Sequence, residues 1–315
     1  MLGRWRHSCA WRWLSGCIAV IAIGISGYYV ATRLITSLQR VGKFHLELSS
    51  LPLLLSLGLT LLCVLAGGLS WHLMLRGVGL RCPLRRCLMV HLLANLGGYL
   101  PGYGWKFVGK GYLTQRSGYP VPLVSLAVLL EFLGLAATRL MVALTTMPAT
   151  FWARWHLDAL LPWATWLRWT GWGLVGVLPL LFAGTCKALA HRDCWPEVNL
   201  HLVWLYLALG LMCLTWAAYG LGLAALLEAL QAGAADDVSP ILFATTASSL
   251  VSLLLFVIPG GISVREGVVI YVLEGLLPDI VVTVGALLSR VVLIVAELLG
   301  AFLGGWLARR YGLWK

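Results

Sequence analysis

Charge is what this sequence has least of. Of its 315 residues, 12 are Asp or Glu and 23 are Lys or Arg, 11% together, where a soluble domain carries about 25%. So few charges cannot coat a globule of this size, which excludes an ordinary soluble enzyme. The hydrophobic content of 60% and mean hydropathy of +0.90 exclude a disordered chain as well. Paired cysteines are also lacking. Eight are scattered without a CxxC pair, Cys63 and Cys213 inside apolar runs, which excludes a secreted disulfide scaffold. The seven histidines have no ligand spacing, so neither a metal nor a cofactor is expected. Walker A, HExxH and GxSxG motifs are missing, as is an aspartate cluster of the kind lipid-linked transfer often uses. No catalytic residue is therefore assigned and the chain is read as not an enzyme, with Glu131, Glu266 and Glu297 the carboxylates a base would come from.

What is abundant is apolar sequence in long runs. A helix needs about 20 apolar residues to cross a hydrocarbon core, and six runs qualify: Leu14–Thr36, Leu51–Leu75, Val121–Met147, Leu167–Ala188, Leu200–Leu230 and Ile280–Leu307. The first follows MLGRWRHSCAWRW but has no small-x-small cleavage site, so it reads as a span rather than a signal peptide. Two further stretches do not make one clean span. Leu84–Gly118 is interrupted at GGYLPGYG, by Pro101 and Gly102, and Pro240–Gly275 at VIPGGIS, by Pro259. Glycine and proline break the backbone ladder, and broken backbone at membrane depth needs protein or a watery cavity beside it. Each stretch thus predicts a hairpin of two shorter helices meeting near the midplane.

The two breaks are 158 residues apart, Pro101 to Pro259, and at that offset Gly102 meets Gly260, Gly109 meets Gly267 and Pro120 meets Pro278. The span pattern repeats at the same offset, which predicts a duplication, residues 14–147 and 167–307, within one transmembrane domain covering 1–315. Three full spans separate the hairpins. An odd number reverses the second half, giving inverted repeats with broken helices in matching places, the sequence pointer to a transporter-type site. The expected fold is an all-α polytopic bundle of about six full spans plus two broken, re-entrant hairpins.

Basic residues set the expected orientation. With the N-terminus inside, thirteen Lys and Arg fall in inside segments, among them Arg81, Arg85, Arg86, Arg116 and Arg309, against five outside, Arg33, Arg40, Lys43, Arg154 and Arg168. The positive-inside rule then places both termini in the cytoplasm of an inner, plasma-membrane protein. The net charge of +11 is accordingly read as loops facing anionic lipid, not as a nucleic-acid surface.

Eight charges remain inside the proposed membrane layer: Lys106, Lys110, Arg139, Arg265 and Arg290, with Glu131, Glu266 and Glu297. Each costs about 2.5–3.5 kcal/mol at a helix centre, so each should face a partner or a cavity. The surplus is positive and suits an anion. Lys106 and Lys110 are four apart on one helix face after the first break. After Gly260 and Gly261, Ser263-Val-Arg-Glu266 reads as a capping box whose helix N-terminus, with Arg265 in its first turn, is a natural phosphate site. Glu131 with Arg139, and Arg290 with Glu297, lie on shared helix faces and read as a charge network that organises the cavity or merely holds the bundle. Plainer readings stand beside these. Glu266 also reads as only a cap, Lys110 as a lysine snorkelling to the interface, and Asn95, Ser248 and Ser249 as interhelical glue. Glycines in Gly58–Gly68 and at Gly220 and Gly222 read as packing positions. The 16 tryptophans, many near span ends (Trp155, Trp163, Trp306), read as interfacial belts.

At the two hairpins the sequence resembles the lysylphosphatidylglycerol synthase transmembrane-region family, the flippase-like proteins. The segment FVIPGGISVREGVVIYVLEGLLP, with Arg265-Glu266 after Pro259-Gly260-Gly261, is the more specific match. LLSRVVLIVAELLG, with Arg290 and Glu297, is similar too. The first motif, NLGGYLPGYGWKFVGKGYLTQRSGYP followed by Glu131, is similar to the branch with Pro-Gly, Trp and a basic residue after Gly. The resemblance covers residues 15–308 and only the membrane part, with no synthase domain. It implies a bundle with re-entrant helices that translocates lipid during cell-envelope biogenesis, or an accessory membrane subunit of an envelope glycosyltransferase or lipid-modifying enzyme. The expected ligand is an anionic or phosphate-bearing lipid, phospholipid or polyprenyl-phosphate-linked, held by Lys106, Lys110, Arg265, Gly260, Gly261 and Ser263. An envelope enzyme and a second copy of the chain are the protein partners compatible with this reading.

Overall fold

The computed structural model describes residues 32, 48–99, 104–154, 162–190, 200–231, 233–254 and 264–311. These residues are helical throughout, with no β-strand among them and an isolated bridge between Glu274 and Leu277. Five long helices fall on five of the six expected spans: α1 (Ser50–Gly77), α4 (Val121–Thr146), α6 (Ala164–Ala190), α7 (Leu202–Leu230) and α10 (Asp279–Arg310). Each is long and apolar enough to cross a membrane. The expected first span, Leu14–Thr36, lies outside the described residues except for Thr32.

Both interrupted stretches are divided as their Gly-Pro content dictates. The first consists of α2 (Leu84–Asn95), a 3-10 turn (Leu96–Tyr99) and α3 (Trp105–Arg116). The second consists of α8 (Val238–Leu254) and α9 (Val264–Leu273). The breaks themselves, with Pro101, Gly102, Pro259, Gly260, Gly261 and Ser263, lie outside the described residues. A short helix, α5 (Ala149–Arg154), follows α4.

Local chemistry stops these helices where it must. Gly79 takes φ +86°, open to glycine without penalty. Its N–H donates to Arg76 O at 3.0 Å while that of Leu80 reaches Leu75 O at 2.8 Å, a Schellman closure that satisfies the last carbonyls of α1. Pro120 and Pro278, both extended, start α4 and α10. In α10 Asp279 occupies the first turn and Arg309 and Arg310 the last, complementing the helix dipole at both ends.

The centre of the bundle is the antiparallel pair α1 and α7. Ser49 N–H donates to Ala229 O at 2.9 Å at one end, and His201 N–H to Gly77 O at 2.8 Å at the other. Between these ends Ser70 Oγ donates to Ala208 O and Cys63 Sγ to Thr215 O. Around this pair the neighbours exchange. α4 packs on α8, α6, α7, α3 and α1, whereas α10 packs on α2, α1, α9 and α7. Exchanging α1, α2, α3 and α4 with α7, α8, α9 and α10 turns the first set, α6 apart, into the second.

Close approaches obey the same exchange. A Cβ on Gly68 of α1 would stand 2.6 Å from Leu88 Cδ2 and 3.1 Å from its Cα, on α2. On Gly220 of α7 it would stand 2.3 Å from Leu242 Cδ2 and 3.2 Å from its Cα, on α8. Gly68 and Gly220 are thus packing glycines, as their pattern predicts; Gly58 has nothing within 4 Å. Two apolar clusters fill the halves, one around Trp71, Met74, Leu130, Leu205 and Leu209, the other around Leu226, Leu227, Ile241, Leu273 and Val281. α6 packs on α4 and α7 and leaves Trp163, Trp166, Trp169 and Trp172 on the outside of the bundle.

Candidate functional site

A polar cavity of about 190 Å³ opens beside the α1–α7 pair. That is far above what a single water needs, about 10–15 Å³, so the space can hold several. Its lining comes from α1, α2, α3, α4, α7, α8, α9 and α10, so both broken hairpins contribute. Six of the eight charges that the sequence places in the membrane layer line it: Lys106, Lys110, Arg139, Arg265, Glu131 and Glu297. Arg290 and Glu266 do not. They face one another, Nη1 to Oε1 at 3.9 Å.

The tightest part of the site is in the first half. Lys106 and Lys110 are one turn apart on α3, and the Lys110 ammonium donates to Glu131 Oε1 on α4 at 2.5 Å. Lys110 is 4% exposed and Glu131 3%, so this is a buried ion pair and not a lysine snorkelling to the interface. Two features hold the ammonium there. It stands 5.0 Å from the centroid of the Trp71 ring, a cation–π contact, and 3.0 Å from His91 Nδ1 on α2. An ammonium has only donors, so Nδ1 accepts from it; on the other side of the ring Nε2 lies 3.2 Å from Asn95 Nδ2. The ring has its place because residue 67 is glycine: a Cβ there would lie 2.5 Å from His91 Nε2.

Across the cavity the remaining cations lie against aromatic rings. Arg139 stacks over Trp216 at 4.4 Å and Arg265 over Tyr219 at 4.7 Å. Trp216 and Tyr219, three residues apart on α7, meet edge-on with centroids 6.1 Å apart. A ladder of cation, ring, ring and cation therefore joins α4 of the first half to α9 of the second. Arg265 Nη2 also donates to the Tyr219 hydroxyl. At the far side Tyr99, in the 3-10 turn before the first break, donates its hydroxyl proton to Glu297 Oε2 on α10, and Arg290 stands 5.9 Å from the Tyr99 ring. Hydroxyls of Thr60, Thr215, Ser249 and Ser252 complete the polar lining.

The structure redraws the charge partners expected from spacing. Glu131 takes Lys110 from another helix, and Glu297 takes Tyr99, 198 residues away. Arg139 and Glu131 share a face as expected, but eight residues of helix are about 12 Å of rise, and the nearer ammonium holds the carboxylate. His91, Trp71, Trp216, Tyr219 and Tyr99 are site residues the sequence reading passed over. Trp71 is fully buried and Trp216 lines the cavity, so both belong to the interior and not to an interfacial belt. Among the described residues no cluster of three or more His, Cys, Asp and Glu is placed to hold a metal ion. Neither a protein-family model nor a curated protein matches the sequence.

Proposed function

We propose that this protein is an integral inner-membrane lipid translocator that binds the phosphate-bearing headgroup of an envelope lipid in the central cavity while the acyl or prenyl tails stay in the bilayer. The observation that carries the reading is the cavity itself: four cations against two carboxylates, drawn from α3, α4, α9 and α10, within an apolar bundle. In this reading Lys106, Lys110 and Arg265 contact the phosphate, and Gly260, Gly261 and Ser263, which lie outside the described residues, are the backbone ligands the sequence offers beside them. Glu131, Arg139, Glu266, Arg290 and Glu297 set the cavity's shape and charge. The exchange of neighbours about α1 and α7 supports reading the two halves as inverted repeats. Such halves can rock about a shared site to expose it to each face in turn, with both termini cytoplasmic. The flippase-like resemblance of the hairpin motifs agrees with this assignment.

The test is reconstitution. Purified protein in liposomes should move a fluorescent short-chain phospholipid or polyprenyl phosphate between leaflets, and Arg265→Ala should slow it at least tenfold. Wild-type protein that moves neither probe overturns the proposal. Full function in cells after Arg265→Ala, with an envelope glycosyltransferase or lipid-modifying enzyme co-purifying, favours the accessory-subunit reading instead.

A further inference from the structure

We infer that a proton travels with the headgroup and that Glu131 carries it. The inference rests on the reading of the cavity as a phosphate site, in which Lys110 contacts the ligand, and adds the coupling ion. It starts from the partners of one nitrogen. An ammonium has three N–H donors and no acceptor. Those of Lys110 meet three groups: Glu131 Oε1 at 2.5 Å, His91 Nδ1 at 3.0 Å, and the face of the Trp71 ring, whose centroid is 5.0 Å away. A phosphate oxygen therefore reaches this ammonium by taking the place of a partner. Trp71 is fully buried. His91 fills the space that Gly67 leaves, with Asn95 Nδ2 3.2 Å from its other nitrogen. The Glu131 carboxylate is the partner that yields. It meets the ammonium through Oε1 alone, Oε2 being buried with no hydrogen-bond partner, and as an oxyanion it competes with phosphate for the same N–H.

Displaced, Glu131 is a carboxylate 3% exposed with neither oxygen paired. A buried charge without a partner is costly enough that the group takes a proton instead. Of the titratable and charged groups around it, α3 presents Lys106 and Lys110, α2 His91, α1 Cys63, α7 Tyr219, α9 Arg265 and α10 Glu297, with Arg139 on α4 itself. α8 lends hydroxyls only, and α6, which also packs on α4, puts no residue into the lining. Lys106 and Arg265 meet the same phosphate in this reading, and Arg139 is about 12 Å of rise away along the helix. Glu297 keeps the Tyr99 hydroxyl whatever Lys110 holds. The proton comes from the aqueous side and bonds to Glu131, while Lys110 keeps its own protons and its charge. A diester headgroup of one negative charge and its proton then cross as a neutral pair, driven by a pH difference and indifferent to the membrane potential.

Calorimetric titration of the purified full chain in detergent, run in two buffers of different ionisation enthalpy, counts the protons. The probe is dihexanoyl phosphatidylglycerol, whose diester phosphate does not itself titrate near neutral pH. About one proton should be taken up per lipid bound, and affinity should fall about tenfold for each pH unit above neutrality. Glu131→Gln, which keeps the shape of the side chain and cannot ionise, should bind the lipid at least as tightly, with neither uptake nor pH dependence. Lipid bound by wild type without proton uptake overturns the coupling and leaves the phosphate site standing. Uptake that persists in Glu131→Gln overturns the assignment to this carboxylate. Should that variant lose its folded elution profile, infrared difference spectra of wild type with and without lipid decide: a new protonated-carboxyl band supports the inference, and uptake without such a band overturns it. Binding of neither this lipid nor a short polyprenyl phosphate overturns the phosphate site, and the coupling with it.

Discussion

The two halves of the bundle share a scaffold and differ in chemistry. Gly68 admits Leu88 in the first half as Gly220 admits Leu242 in the second, and α4 and α10 find equivalent neighbours. The first hairpin and its following helix nonetheless bring Lys106, Lys110, His91, Glu131 and Arg139 to the cavity, while the second brings Ser249, Ser252, Arg265 and Glu297. The second half's own ion pair, Arg290 with Glu266, is longer than Lys110–Glu131 and stands off the cavity. Packing thus repeats where backbones must approach one another, and the charges that line the cavity do not. The asymmetry can be broken by mutation, and the size of each effect orders the tests.

The largest effect should come from the first half's ion pair. Lys110→Met leaves the Glu131 carboxylate buried without its ammonium, which costs about 3–5 kcal/mol where a buried pair is broken from one side. Joint replacement, Lys110→Met with Glu131→Leu, should recover most of that loss, since two apolar side chains of similar volume have no charge to desolvate. Arg290→Met in the second half should cost clearly less, about 1–2 kcal/mol, because its partner is 3.9 Å away and the arginine is 16% exposed. Denaturant unfolding in mixed micelles measures all three. Equal losses for Lys110→Met and Arg290→Met would remove the distinction between the halves.

Packing should behave in the opposite way, alike in both halves. Gly68→Ala and Gly220→Ala each drive a methyl against a leucine on the neighbouring half-helix, and each should cost about 1–3 kcal/mol as overpacking. Gly58→Ala, with open space around it, should be neutral or slightly stabilising. The same unfolding assay reads them. Loss at one position alone would mean that the shared scaffold is shared only in outline.

How much of this was legible in the sequence follows from which interactions are local. Apolar runs and their Gly-Pro breaks are local, and five long helices lie where the sequence puts spans, while both breaks fall outside the described residues. Packing glycines also announce themselves by spacing. Side-chain partners across helices do not. Spacing set Glu131 with Arg139 and Arg290 with Glu297, because residues seven or eight apart share a helix face. The structure gives Glu131 to Lys110 and Glu297 to Tyr99, choices made by how α3 leans on α4 and where the first break delivers its turn. The neutral members of the site were harder still. Nothing in a sequence distinguishes a tryptophan that faces lipid from Trp216, which carries Arg139, until the helix it sits on has neighbours.

The smallest effect concerns a clasp between the halves. Arg154, at the end of α5, donates through Nη1 to Tyr271 O at 2.5 Å and through Nη2 to Glu274 O, at the C-terminal end of α9. Those carbonyls have no later N–H in their own helix, and a cation there also meets the negative end of the helix dipole. The contact has no described counterpart in the first hairpin, although α3 and α9 both end two residues before a positive-φ glycine, Gly118 (φ +88°) and Gly275 (φ +79°). Being exposed to solvent or headgroups, the guanidinium should contribute about 0.5–1 kcal/mol. Arg154→Gln should therefore change global unfolding little but raise amide exchange selectively in Val264–Leu273, the helix that carries Arg265. Exchange that rises equally in Trp105–Arg116 would show that the two hairpins are anchored alike, and that their difference is confined to the charges they carry.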